Sequence, residues 1–179
     1  MADITHGTWI KDGKAVNAVY QSGVKIYGRN LVKDSSQEFT GKAYGFHDYN
    51  LASLSELTPG KTYTVSFSAK VDDKAVNCNQ HLFVDIYNPS WSWNMEADAR
   101  STDYQRVTDT FTVPEGITDA HLITVYLSHP VINGTSDPSS DNSDAAGTGY
   151  IKEFKLEKGT TATPHSIAPE DMLNQEENN

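Results

Sequence analysis

The stretch "KTYTVSFSAKV", residues 61–71, alternates without a break, with Tyr63, Val65, Phe67, Ala69 and Val71 on one parity and Thr62, Thr64, Ser66, Ser68 and Lys70 on the other. Successive side chains of a strand leave on opposite faces, so this parity predicts a strand with one face in a core and the other in water. A helix would spread the same apolar residues around its whole circumference. "HLFVDIY", residues 81–87, repeats the pattern with Leu82, Val84 and Ile86 inward and Phe83, Asp85 and Tyr87 outward. That outward set is aromatic and acidic, more than solubility asks for.

Further segments follow suit. "AHLITVYLS" (120–128) sets Leu122, Thr124 and Tyr126 against Ile123, Val125 and Leu127. "RVTDTFTVPEG" (106–116) turns after Phe111 and Val113, and "GYIKEFKLEKG" (149–159) supplies Ile151, Phe154 and Leu156. With "KAYGFHDYN" (42–50) and "NLV" (30–32), seven or eight strands are separated by turn chemistry, with almost no helix signal. The expected fold is all-β: an antiparallel two-sheet β-sandwich over residues 28–160.

Residues 1–27, with turns at "KDGK" and "QSG", predict a short N-terminal β-meander. It is too small for a core of its own, so it is expected to pack on a neighbour or a partner chain. Residues 161–179 read as a C-terminal linker in which Pro169, Glu170 and Asp171 stand in helix-start order. Residues 129–149, "HPVINGTSDPSSDNSDAAGTG", carry turn formers and acids without any period, and a long mobile loop is expected there. Its acids lack the glycine at the sixth position and the glutamate at the twelfth that an EF-hand loop uses.

Charge narrows the function. With 14 basic against 24 acidic residues the formal net charge is -10. A phosphate-binding face needs clustered Lys and Arg, and no such run exists, so neither nucleic acid nor an anionic membrane is an expected partner. One cysteine, Cys78, has no internal disulfide partner and reads as an inert thiol. The start, Met-Ala-Asp-Ile-Thr-His, has neither the basic region nor the apolar run of a signal peptide, and no apolar run has the length of a membrane span. Catalytic signatures are missing too: no nucleophile elbow, zinc-protease helix, phosphate loop or dinucleotide fingerprint occurs, and the histidines are scattered singly. The chain is not expected to be an enzyme.

Two pieces of the chain carry a resemblance. "VYQSGVKIYGRNLVKDSS" (19–36) and "YIKEFKLEKGTTATPHSIAPEDM" (150–172) together resemble a pattern in tail, baseplate and fibre proteins of phages infecting Gram-positive bacteria. There a "GRNL" start and an "LEKG-T-AT" to "APED" end bracket a carbohydrate-binding-module-like jelly roll. Here the ends are Gly28–Leu31 and Leu156–Asp171, with "LTPGKTYTVSFSAK" (57–70) and "TFTVPEG" (110–116) matching internal strands. The resemblance implies noncatalytic glycan binding that attaches a virion to host cell-wall polysaccharide. It implies other tail or baseplate subunits as partners, and synthesis in the host bacterial cytoplasm followed by residence in the phage tail. The alternative is a structural or oligomerisation module with no sugar binding.

For a sugar site the stretch "NPSWSWNMEADAR", residues 88–100, is the first candidate. Sugars present apolar C–H faces and rings of hydroxyls, so their sites combine aromatic planes with fixed amides, carboxylates or guanidinium groups. Trp91 and Trp93 offer planes, Asp85, Asn94 and Arg100 offer polar partners, and Tyr87 and Tyr126 extend the platform. Two alternatives stay open for the tryptophans: a lid on the sandwich core, or anchors of a protein–protein contact. His47 and Tyr49 are secondary candidates. The resemblance also implies a structural calcium, with Glu38 and Glu153 at the corresponding positions. Both depart from the usual pattern, and Lys152 stands where an acid belongs; no cofactor is therefore expected.

Overall fold

A computed structural model describes residues 3–5, 7–42, 46–50, 57–77, 82–88, 91–116, 122–127 and 147–176. Cys78 and most of the expected loop at 129–149 lie outside the described residues. The strands are β1 (Asp3–Thr5), β2 (Thr8–Lys11), β3 (Lys14–Ala15), β4 (Ala18–Gln21), β5 (Val24–Gly28), β6 (Phe39–Lys42), β7 (Phe46–Asn50), β8 (Thr62–Val71), β9 (Leu82–Asn88), β10 (Trp91–Ala99), β11 (Gln105–Thr112), β12 (Leu122–Leu127) and β13 (Thr148–Lys158). Two helices complete the described chain, α1 (Asp73–Asn77) and α2 (Pro169–Glu176). One four-stranded sheet has the order β11-β8-β13-β6 and the other β10-β9-β12-β7, with β1-β2-β3 and β4-β5 as separate small sheets. Every described strand pair is antiparallel, and the all-β architecture expected from the alternation is the one observed.

The N-terminal turns form as their residues dictate. Asp12 and Gly13 (φ 51° and 71°) join β2 to β3, and Ser22 and Gly23 (φ 50° and 81°) join β4 to β5. Two successive positive φ values are what a two-residue hairpin of matching twist requires, and Gly accepts the second at no steric cost. Pro169 likewise opens α2 as the sequence predicts.

Strand β8 is central to its sheet, and its apolar parity is the core. Tyr63, Val65, Phe67 and Ala69 are fully buried, and Phe111, Val113, Ile151, Phe154 and Leu156 join them. Phe67 stacks on Phe154 with centroids 5.7 Å apart, and Tyr63 on Phe111 at 5.8 Å. Ile151, Phe154 and Leu156 break the period of two, yet all three are buried. A β-bulge reconciles them: the register of β13 on β8 moves from Lys152↔Ser68 to Lys155↔Ser66, inserting one extra residue. Glu153 sits at the bulge with φ 55°. Its carboxylate is held below the usual range, first by the Ser68 hydroxyl that donates to it at 2.6 Å.

The opposite parity of β8 departs from expectation. Thr64, Ser66 and Ser68 were to face water, but all three are buried. Arg106 donates to Ser66 Oγ at 2.8 Å and Thr64 Oγ1 donates to Gly159 O at 2.7 Å, and residues 161–168, expected as part of a linker, bond to the neighbouring Lys155 and Glu157 as a strap, with Thr163, Ser166 and Ala168 buried. The two terminal motifs interlock here. The fully buried Asn30 amide donates to Phe154 O, Ser166 O and Ser35 Oγ, each at 3.0 Å. Its oxygen accepts from the N–H groups of Val32 and Leu156 at 3.1 Å. Lys155 Nζ donates to Thr163 Oγ1 (2.9 Å), Pro164 O (2.8 Å) and Ser166 Oγ (3.2 Å). Glu157, fully buried, accepts from the Thr163 N–H (2.8 Å) and pairs with Lys25 Nζ (2.7 Å). A Cβ on Gly28 would meet Glu157 Oε2 at 1.9 Å, which leaves glycine as the fitting residue there. Arg29 and Glu170 pair where α2 begins.

The strap carries a pH dependence. Burial, with Arg106 adding to it, lowers the His165 pKa to about 4, against an ordinary 6.5. His165 Nε2 lies 3.1 Å from Ser35 Oγ. The unfolded chain takes up a proton near pH 6.5 that the folded chain refuses until about 4. Stability from this group is therefore present above about pH 6.5 and lost as pH falls to about 4, by on the order of 2 kcal/mol. Urea unfolding at pH 7 and pH 4.5 checks this: the difference between the two should shrink in His165→Gln, and an unchanged difference places the acid sensitivity elsewhere.

Candidate binding face

In an antiparallel pair, directly opposed residues stand on the same face. Across β10, β9 and β12 the register pairs Asn94 with Asp85 and Asp85 with Thr124, and Ser92 with Tyr87. Phe83 pairs with Tyr126. Asp85, Tyr87, Asn94 and Tyr126 therefore share one face of the β10-β9-β12-β7 sheet. Strand β7 adds Phe46 opposite Tyr126, Asp48 opposite Thr124 and Asn50 opposite Leu122.

Trp93 pairs with Ile86, Ile86 with Ile123, and Trp91 with Asn88. The tryptophans thus occupy the other face, in register with Val84, Ile86, Ile123 and Val125. Ala99 pairs with Leu82, is 1 % exposed and belongs to the hydrophobic core cluster, and the register of β10 on β9 shifts between Met95 and Ala99. Of the positions expected to form one platform, Trp91 and Trp93 thus share one register row, and Asp85, Tyr87, Asn94 and Tyr126 the alternate row. Arg100 follows β10 and is exposed.

The sequence singled out His47 and Tyr49, which the register sets opposite Val125 and Ile123, while Phe46, Asp48 and Asn50 fall in the row of Tyr126 and Thr124. A signal was available, because "FHDYN" alternates like its neighbours. The choice of parity, however, waited on pairing with β12. That row therefore unites the aromatic positions Phe46, Phe83, Tyr87 and Tyr126 with Asp48, Asn50, Asp85 and Asn94, residue types of the kind that hydroxyl-rich rings require.

The positions considered for calcium engage protein groups. Tyr104 donates its hydroxyl to Glu38, and burial together with this bond raises the Tyr104 pKa well above its ordinary value. Glu153 accepts from Ser68, and its Oε2 lies 3.9 Å from Arg106 Nη1. Among the described residues no group of three or more His, Cys, Asp or Glu side chains is placed to hold a metal. Among them, too, no helix is long and apolar enough to cross a membrane.

No family model and no curated protein matches the chain. Solved structures do. The tripod from the baseplate of bacteriophage Tuc2009 is similar with a TM-score of 0.45 at 16% identity, over 78% of this chain and 58% of that one. The CBM22-2 xylan-binding domain of Paenibacillus barcinonensis Xyn10C gives 0.43 at 11% identity, covering 68% and 77%. A family 16 carbohydrate-binding module gives 0.41 at 11%, covering 71% and 85%.

Proposed function

We propose that the chain is a noncatalytic glycan-binding module of a phage tail or baseplate protein, which attaches the virion to host cell-wall polysaccharide through the outer face of the β10-β9-β12-β7 sheet. The observation that supports this reading is the register that gathers Asp85, Tyr87, Asn94 and Tyr126 into one row across β10, β9 and β12. A polar enclosure built on strands is rigid before the ligand arrives, so little ordering cost offsets its contacts. Weak contacts per copy suffice, because many copies on one virion raise the effective concentration of the remaining sites. The other tail or baseplate subunits are its protein partners in this role, and the host cytoplasm is where it is made.

The test is attachment of a fluorescent fusion to host cells or to purified wall polysaccharide. Tyr87→Ala with Tyr126→Ala removes two ring planes from the outer face, and each lost stacking anchor costs roughly 1 to 3 kcal/mol of binding. Attachment should fall at least tenfold while the melting temperature holds. An intact fusion that binds neither cells nor polysaccharide would favour the structural-module alternative.

A further inference from the structure

The strap covers only part of the second sheet's outer surface. Beyond it the register sets two rows side by side: Lys70 opposite Tyr150, and Ser68 between Arg106 and Lys152. Gln105 pairs with Ala69, which brings Tyr104 beside Lys70. Lys70 Nζ lies 4.8 Å from the centroid of the Tyr104 ring and 4.9 Å from that of Tyr150. Lys152 Nζ lies 4.0 Å from the same Tyr104 ring. Lys70, Tyr104, Tyr150 and Lys152 are half-buried and Arg106 is exposed.

Two ammonium groups therefore converge on one ring. Each gains from the ring's negative face, and the two like charges repel one another. The carboxylates bordering the group already have partners, Glu38 the Tyr104 hydroxyl and Glu153 Ser68 and Arg106. An anion within reach of both ammonium groups relieves the repulsion. The tyrosine rings supply apolar planes beside it, and four paired strands hold the whole still. A nucleic acid needs a longer basic track than three cations on a chain of net charge -10.

We infer that Lys70, Lys152, Tyr104 and Tyr150, bordered by Arg106, form a second binding site, separate from the outer face of the β10-β9-β12-β7 sheet, for an anionic polysaccharide. The anion is a phosphate or a carboxylate carried on a sugar chain. The ammonium groups take its charge, and the tyrosine rings take the apolar side of the adjoining sugar.

Three dextrans of equal length test this on the full chain: neutral, carboxymethylated and phosphorylated. Binding to one or both charged forms is expected, with neutral dextran at least tenfold weaker and the charged binding falling as salt is raised, since exposed ion contacts are screened. Whichever charged form binds more tightly identifies the anion. Lys70→Gln with Lys152→Gln keeps the stems and removes the charges, so the preference for charged dextran should vanish. Tyr87→Ala with Tyr126→Ala, on the other sheet, should leave that preference intact. Equal binding of all three dextrans, binding of none, or a preference surviving the double glutamine variant overturns the assignment. Loss of the preference in the Tyr87 and Tyr126 variant instead moves the anion site to the other sheet and also overturns it.

Discussion

Glu157→Ala is expected to destabilise the fold by on the order of 3 to 5 kcal/mol, as breaking one partner out of a buried ion pair does. Glu157 is fully buried, and its carboxylate meets Lys25 Nζ at 2.7 Å while accepting from the Thr163 N–H and hydroxyl. Its removal leaves Lys25 without that partner and the Thr163 N–H without its acceptor. Lys155 suffers as well. Burial already lowers its pKa to about 8, and Glu157 is the group that opposes that shift. The space directly over Gly28, which the carboxylate fills, is also vacated. Urea unfolding measures the loss. Glu157→Gln keeps the shape and an acceptor for Thr163, so it should cost less than the alanine variant. Equal stability of Glu157→Ala and the parent chain would show that the buried Lys25–Glu157 pair adds nothing to the fold.

Trp91→Ala combined with Trp93→Ala carries the second large effect. If both positions belong to the core-facing side, with Val84 and Ile86 in the same register row, each truncation removes a large apolar group and leaves a cavity. Phe or Trp to Ala changes in cores cost roughly 3 to 5 kcal/mol each, so the double variant should unfold at markedly lower temperature or fail to fold. The rival arrangement, both tryptophans as an exposed sugar platform, gives the opposite pair of results: an unchanged melting temperature and abolished attachment. Calorimetry of the double variant beside the binding assay separates them. The single Trp93→Phe change retains most of the volume, so folding should survive and attachment can still be read.

Much of the architecture was legible in the chain because a strand's period of two is a local property. The parity of residues 62–71 identified the buried set of β8 before any neighbour was known, and "KDGK" and "QSG" specified their turns through the residues that accept positive φ. The Pro169 helix start was equally local. Ile151, Phe154 and Leu156 were legible as core residues although their spacing is irregular, but not the bulge at Glu153 that lets all three reach the core.

What the tertiary structure decided is which parity faces what. Thr64, Ser66 and Ser68 read as a wet face because nothing in their own strand says that Arg106, Glu153 and Gly159 of other segments bond to them. The same limit governs the tryptophans. Alternation within "WSW" places Trp91 and Trp93 together, but only the pairing of β10 with β9 sets Trp93 opposite Ile86 and Trp91 opposite Asn88. No Lys/Arg cluster exists along the chain, yet three strands bring Lys70, Arg106 and Lys152 to one surface. Local sequence fixes the direction in which each side chain leaves its strand relative to the next. Long-range hydrogen-bonded register alone determines which strands lie side by side, and so which side chains meet.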